Sequence, residues 1–113
     1  FMEMQSAARE GIDFSAVVCA EGEWTMEMPN ELMQWGKTFG PSQGKIRWDI
    51  VGEGLGCKGF YAEQLEEVGP ALEGAKAEKG PAVVCIRSDR DANLATPGDP
   101  LMRFVEVYSG PMG

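Results

Sequence analysis

Histidine is absent from the sequence, and its absence excludes a Ser-His-Asp triad, a Cys-His pair and the usual zinc sites. Cysteine is scarce and unpaired. Cys19, Cys57 and Cys85 form an odd, widely spaced set with no C-x-x-C among them, so reduced core thiols are expected rather than a disulfide framework. Positive charge is also short: 10 Lys and Arg stand against 18 Asp and Glu, a net charge of −8 that repels phosphate backbones and anionic lipid. No nucleic acid and no membrane surface is therefore expected as a partner. No stretch approaches the roughly twenty apolar residues of a spanning helix, and no basic segment followed by an apolar one opens the chain. The expected location is cytoplasmic. Whatever chemistry remains must come from carboxylates, a hard metal ion or a bound cofactor.

The most informative stretch runs from Val17 to Met26. An apolar run rises from Phe14 and stops at Glu21 and Glu23, two carboxylates around Gly22. It reads as a strand, Ile12 to Cys19, buried on both faces and delivering charge at its end; open α/β folds bind ligands just beyond the carboxyl ends of such strands. The alternative for Glu21 and Glu23 is a pair of solvated turn carboxylates. Ala82-Val83-Val84-Cys85-Ile86 is a second strong apolar strand after the turn signal Gly80-Pro81, and Lys58-Gly59-Phe60-Tyr61 is a short third one.

Helical patterns separate these strands. Met2, Met4, Gln5, Ala8 and Arg9 fit a helix that ends at Gly11 in a left-handed cap. From Lys45, Ile46, Ile50, Val51 and Leu55 share one side of a helix with Asp49 as an N-cap, and Gly52, Gly54 and Gly56 imply close packing or mobility. Glu63 to Glu78 predicts another helix, with Leu65, Val68, Leu72 and Ala75 inward and a restart at Pro70. Strands alternating with helices predict an α/β fold, part of a doubly wound parallel sheet with helices on both faces. With so few strands its edges are open, and another chain or a missing N-terminal part is expected to complete it. The segment from Glu21 to Gly44 shows no sustained period; it is long for a plain connection, and both a functional loop and a Met-rich surface packing on a neighbouring domain fit it.

The order of these pieces resembles the thiamin diphosphate motif of the acetolactate synthase and 2-oxo acid decarboxylase superfamily. Glu3-Met4-x-Ser6-Ala7-x-Arg9 is similar to its E-L-x-T-A-x-R helix, and Ala20-Glu21-Gly22-Glu23-Trp24-x-Met26 to its N-N-x-x-x-G-M. Downstream, Asp49-Ile50-Val51 through Lys58-Gly59 and Gly80-Pro81-Ala82-Val83-Val84 continue the likeness through roughly the first ninety residues. By this resemblance residues 1–94 are the C-terminal part of a pyrophosphate-binding domain, and 95–113, with Met102, Phe104 and Tyr108, are an arm or lid.

The resemblance implies thiamin diphosphate and Mg2+ as cofactors. Glu21 takes the place of the family's second asparagine as a magnesium ligand, and Glu23 offers the carbonyl two residues later. Gly22, Trp24 and Met26 complete the implied cofactor-binding set; for Trp24 and Met26 a core role stands beside it. The helix after Lys45 would cover the cofactor. The family's G-D-G falls before Phe1, and the glutamate that activates the cofactor belongs to a separate domain, so the catalytic residues are expected outside this chain. The implied partners are the remaining N-terminal part of the same enzyme, neighbouring subunits of a homo-oligomer and a small-molecule substrate. The implied activity is that of a lyase or transferase on a 2-oxo acid or related carbonyl compound. A catalytically silent assembly subunit and a simple acidic metal-binding module are the alternatives.

Overall fold

The computed structural model describes residues 1–25 and 27–89. They divide into two compact units, the first Phe1–Glu21 with Lys45–Ser88, the second Gly22–Gly44 with Asp89. Met26, the expected domain boundary at 94 and the expected arm at 95–113 lie outside the described residues.

The first unit is built on a three-stranded, all-parallel sheet of β1 (Ser15–Ala20), β2 (Lys58–Ala62) and β3 (Ala82–Arg87), in the order β1–β3–β2. Val17 pairs with Val84, which pairs in turn with Phe60, so the strands run in register towards one common carboxyl end. Helices α1 (Glu3–Glu10) and α3 (Trp48–Gly54) belong to the same unit, as does α4 (Leu65–Ala77). Successive residues of β3 face opposite ways. Val83 packs with Met4, Cys57, Trp48 and Leu55, whereas Val84 packs with Ala62, Ala71, Ala75 and Ala82. Helices therefore cover both faces, α1 and α3 on one and α4 on the other, as the crossover connections of an α/β fold require.

The first helix follows the expected pattern: Gly11 adopts φ +63° and its N–H caps the carbonyls of Ala7 and Ala8. Several other expectations are corrected. The first strand begins at Ser15 rather than Ile12, and it is an edge strand, not one buried on both faces. Ala16 and Val18 pack inward, while Val17 remains 50% exposed and Cys19 is exposed as well. An apolar run does not reveal strand order, and among the described strands only β3 gains neighbours on both edges. Cys57 and Cys85 are buried free thiols, so the core reading holds for them and fails for Cys19.

The inward face of α3 also differs. Ile50 and Val51 are exposed, and the buried residues are Asp49 and Gly52. A Cβ on Gly52 would lie 2.5 Å from Val83 Cγ2, and one on Gly59 of β2 would lie 2.8 Å from the Asp49 carbonyl oxygen. Missing side chains let the helix settle directly on the sheet. At Gly52 the expected choice between close packing and mobility falls to packing, whereas Gly54 faces open space.

Helix α4 runs through Pro70 without restarting. Proline forfeits one N–H there, and small side chains compensate by close approach, because Ala71 and Ala75 are the buried ones while Leu65 and Leu72 point outward. The start is fixed by Glu67, whose Oε2 accepts the N–H groups of Glu63 at 2.8 Å and Gln64 at 3.0 Å; these bonds lower the Glu67 pKa.

Two glycine substitutions in α3 should therefore have opposite signs. Gly52→Ala is expected to destabilise by about 1–3 kcal/mol through overpacking against Val83. Gly54→Ala should stabilise by up to about 1 kcal/mol through helix propensity. Chemical denaturation of both variants in the intact protein checks the pair.

Candidate functional site

Parallel strands end together, and a polar residue follows the carboxyl end of each: Glu21 after β1, Glu63 after β2 and Ser88 after β3. Glu21 follows β1 directly and is half-buried. The preceding carbonyl, that of Ala20, accepts the Ser88 N–H at 3.3 Å, which extends the β1–β3 ladder to the strand terminus. The backbone under Glu21 is thus held by the sheet. Sequence reasoning placed it at a strand end, and the structure agrees.

A second polar group in this unit was not anticipated. Arg47 donates from Nε and Nη2 to the two carboxylate oxygens of Asp49, at 2.9 and 2.6 Å, and its guanidinium lies 3.8 Å from the Tyr61 ring centroid. Asp49 is in the first turn of α3 rather than at its N-cap, a position held by Arg47. The Asp49 side chain is 7% exposed against 47% for Arg47. Its pKa is lowered, first by the hydrogen bonds from Arg47 and then by the attraction of that positive charge, against the opposing effect of burial. The bidentate fork and the stacked ring pin the start of α3 to β2. The i, i+2 spacing of Arg47 and Asp49 was the only sequence signal for the pair.

In the second unit, taken by itself, the two ends of the segment meet at a narrow neck. Glu23 and Ser42 form an isolated antiparallel bridge. Its hydrogen bonds run from Gln43 N–H to the Gly22 carbonyl, 2.8 Å, and from Trp24 N–H to the Pro41 carbonyl, 2.9 Å. The bridge's hydrogen bonds therefore run through the residues on either side of Glu23 and of Ser42. Gly22 has φ +84°, and a Cβ there would lie 2.7 Å from the Gly44 carbonyl oxygen. Only glycine combines that backbone with that approach.

Beyond the neck, Glu27 N–H closes a turn on the Trp24 carbonyl at 3.1 Å. The chain then forms α2 (Met28–Trp35), a helix the aperiodic sequence did not predict. Pro29 near the helix start and Gly36, left-handed at its end, were the available punctuation. Glu31 Oε2 accepts the Phe39 N–H at 2.8 Å, and Trp35 meets Phe39 edge-on at 5.5 Å. Within this unit, contacts therefore tie α2 to the residues that follow it and the two ends of the segment to each other. Trp24 is 60% exposed, which removes the core reading for that residue. Its neighbour Thr25 is 4% exposed, and Thr25 Oγ1 has no hydrogen-bond partner among the described residues.

Comparison with known families now decides what these elements belong to. Residues 1–86, from α1 almost to the end of β3, match the family described as thiamine pyrophosphate enzyme, C-terminal TPP binding domain. The chain belongs to this family. Among curated relatives, a catabolic acetolactate synthase from Raoultella terrigena is 27% identical over 88 residues, covering 78% of this chain. A sulfoacetaldehyde acetyltransferase from Alcaligenes xylosoxydans xylosoxydans is 32% identical over 76 residues, covering 66% of it. The chain spans 16% and 12% of the lengths of those two relatives.

Family membership implies a diphosphate-bearing cofactor, and the local chemistry suits one bound through a hard cation. Magnesium takes oxygen ligands, often one or two carboxylates with substrate phosphates completing the shell. In the first unit the Glu21 carboxylate is an oxygen donor of that kind; in the second, taken by itself, the Glu23 carbonyl is another, and the buried Thr25 hydroxyl has no hydrogen-bond partner among the described residues. No group of three His, Cys, Asp or Glu able to hold a metal occurs among the described residues. A magnesium ion would accordingly rely on diphosphate and further oxygens rather than on a cage from these residues alone. No helix among the described residues is long and apolar enough to cross a membrane.

Two outcomes test this geometry. Gly22→Ala should destabilise the protein by about 1–3 kcal/mol or open the neck, because any side chain meets both the positive φ and the Gly44 carbonyl; thermal unfolding and proteolysis within residues 22–44 report it. Asp49→Asn should lose stability at neutral pH. The folded pKa of Asp49 is lowered, so its contribution is complete above the ordinary aspartate value of 3.8 and fades as pH falls through the folded one. The stability gap between wild type and variant should close in acid, measured by denaturation from pH 7 to pH 2.

Proposed function

We propose that this chain is the cofactor-binding part of a thiamin diphosphate- and magnesium-dependent lyase or transferase that acts on a 2-oxo acid or related carbonyl compound. The observation that carries this reading is the family match over residues 1–86, a span that includes Glu21 and the loop after it. The names of the two relatives, a synthase and an acetyltransferase, favour carboligation or group transfer over decarboxylation alone.

In this reading Glu21 gives a carboxylate oxygen to magnesium and Glu23 its backbone carbonyl. Gly22 lets the chain turn between them without a side chain in the way. Trp24 offers an exposed aromatic face beside the cofactor, and Met26 completes the set. The bound cofactor supplies the nucleophile that attacks a carbonyl carbon, while the protein binds and orients it. The catalytic acid-base groups come from the remaining N-terminal part of the enzyme and from a neighbouring subunit of a homo-oligomer, which also cover the open sheet edges at β1 and β2. A cytoplasmic setting suits the free thiols at Cys19, Cys57 and Cys85.

One observation favours a second reading. The family's N-N is replaced here by Ala20-Glu21, which would also suit a catalytically silent subunit retained for assembly. A simple acidic metal-binding module has less support, given the family match.

Glu21→Ala distinguishes these readings. In the intact protein, titration calorimetry with thiamin diphosphate and Mg2+ should show at least a tenfold loss of affinity, equivalent to about 1.4 kcal/mol, with oligomeric state unchanged. Unaltered assembly in a protein that takes up no cofactor, before or after substitution, would support the silent subunit. Metal binding lost from an assembly that never takes up cofactor would identify the metal module.

A further inference from the structure

Thr25 is the described residue whose environment is incomplete. Its side chain is buried, with 4% of the residue exposed, and Oγ1 finds no hydrogen-bond partner among the described residues. Buried hydroxyls are nearly always paired, and an orphan in a native fold calls for a partner that the chain alone does not supply. The Trp24 backbone is engaged elsewhere: its N–H goes to Pro41, and its carbonyl takes the Glu27 N–H. The bonds that build this turn do not involve the Thr25 hydroxyl.

We propose that the Thr25 hydroxyl donates a hydrogen bond to an oxygen of the cofactor's diphosphate, which makes Thr25 a cofactor-binding residue. The inference rests on the cofactor reading above. The chemistry is specific to the group. A diphosphate is rich in acceptors and needs donors, and the chain around Thr25 offers mostly carboxylates, Glu21, Glu23 and Glu27. A hydroxyl is a donor that adds no charge. Rotation about χ1 exchanges hydroxyl and methyl within one small volume, so Oγ1 can turn to a ligand without moving the backbone. Thr25 lies two residues past Glu23 and next to the neck fastened by the Glu23–Ser42 bridge, so its Cα is fixed before any ligand arrives.

Thr25→Val removes the hydroxyl at almost constant volume, and Thr25→Ser keeps it. In the intact protein with saturating Mg2+, calorimetry should show Thr25→Val binding thiamin diphosphate about tenfold more weakly, with inorganic pyrophosphate weakened in parallel. Thr25→Ser should stay within about threefold of wild type. Without cofactor, Thr25→Val should unfold at or above the wild-type temperature, because it deletes an unpaired buried hydroxyl. Wild-type affinity in Thr25→Val would overturn the proposal. So would weaker thiamin diphosphate binding with unchanged pyrophosphate binding, which would place the contact elsewhere on the cofactor. A cofactor-free Thr25→Val that unfolds well below wild type would show that the hydroxyl has a protein partner, and would also overturn it. Wild-type protein that binds no thiamin diphosphate would sink the cofactor reading itself, and this inference with it.

Discussion

The first unit depends on β3 being satisfied on all sides. Its backbone is hydrogen-bonded to β1 along one edge and β2 along the other, and Ala82, Val83, Val84 and Cys85 are each fully buried. A strand in that position has no polar surface to offer water, so it must be apolar throughout, and Ala82–Ile86 is. Because both ladders run parallel and in register from Ala82, the strands share one carboxyl end. Glu21 stands at that end through the same pairing that buries the core. The position of Glu21 and the core are consequences of one ladder.

Side-chain size on the two faces of β3 then sets how closely the helices approach. Val83 fits into the space left by Gly52, so α3 lies directly on the sheet, and the alanines of α4 do the same on the Val84 face. Such contacts leave no room for adjustment, since interiors are packed as densely as organic crystals. The start of α3 is fixed differently, by charge. Asp49 is buried and would be unfavourable alone; the guanidinium of Arg47, backed by Tyr61, makes it tolerable and directional. A helix of only seven residues is held at both ends by contacts to the sheet rather than by its own propensity.

The sequence was most legible where a local rule decided the outcome. The Gly11 cap, the apolar β3, the alternation of strands with helices and the charge at the end of β1 all follow from short patterns. Legibility failed where the outcome depended on partners distant in the chain. Val17 and Val84 look alike in sequence, yet one is half exposed and the other buried, because strand order assigns them different neighbours. Ile50 and Val51 looked like an inward face, but Gly52 and an ion-paired Asp49 allowed closer packing than either branched side chain could. Helix α2 was hidden because its exposed Leu32, Met33 and Trp35 leave no clean polar face for periodicity to detect. The resemblance singled out the segment around Glu21 as the candidate, whereas the neck at Gly22 and Gly44 and the unpaired Thr25 hydroxyl required coordinates.

Under the proposed function, a carboxylate at Glu21 where the family has asparagine bears on how a diphosphate could be held here. A carboxylate near a diphosphate is repelled: two like charges 4 Å apart interact by about 4 kcal/mol at an effective dielectric constant of 20. The chain as a whole carries −8 and adds to that repulsion. A divalent cation between the two anions reverses the sign, because each then faces a positive charge rather than the other. An asparagine ligand would lack this dependence, since its amide carbonyl is neutral. Under the proposed function, Glu21 therefore makes cofactor and metal bind as one unit, with the cation required electrostatically as well as for coordination. The same reasoning explains why an uncharged donor such as the Thr25 hydroxyl would be well suited to the remaining diphosphate oxygens.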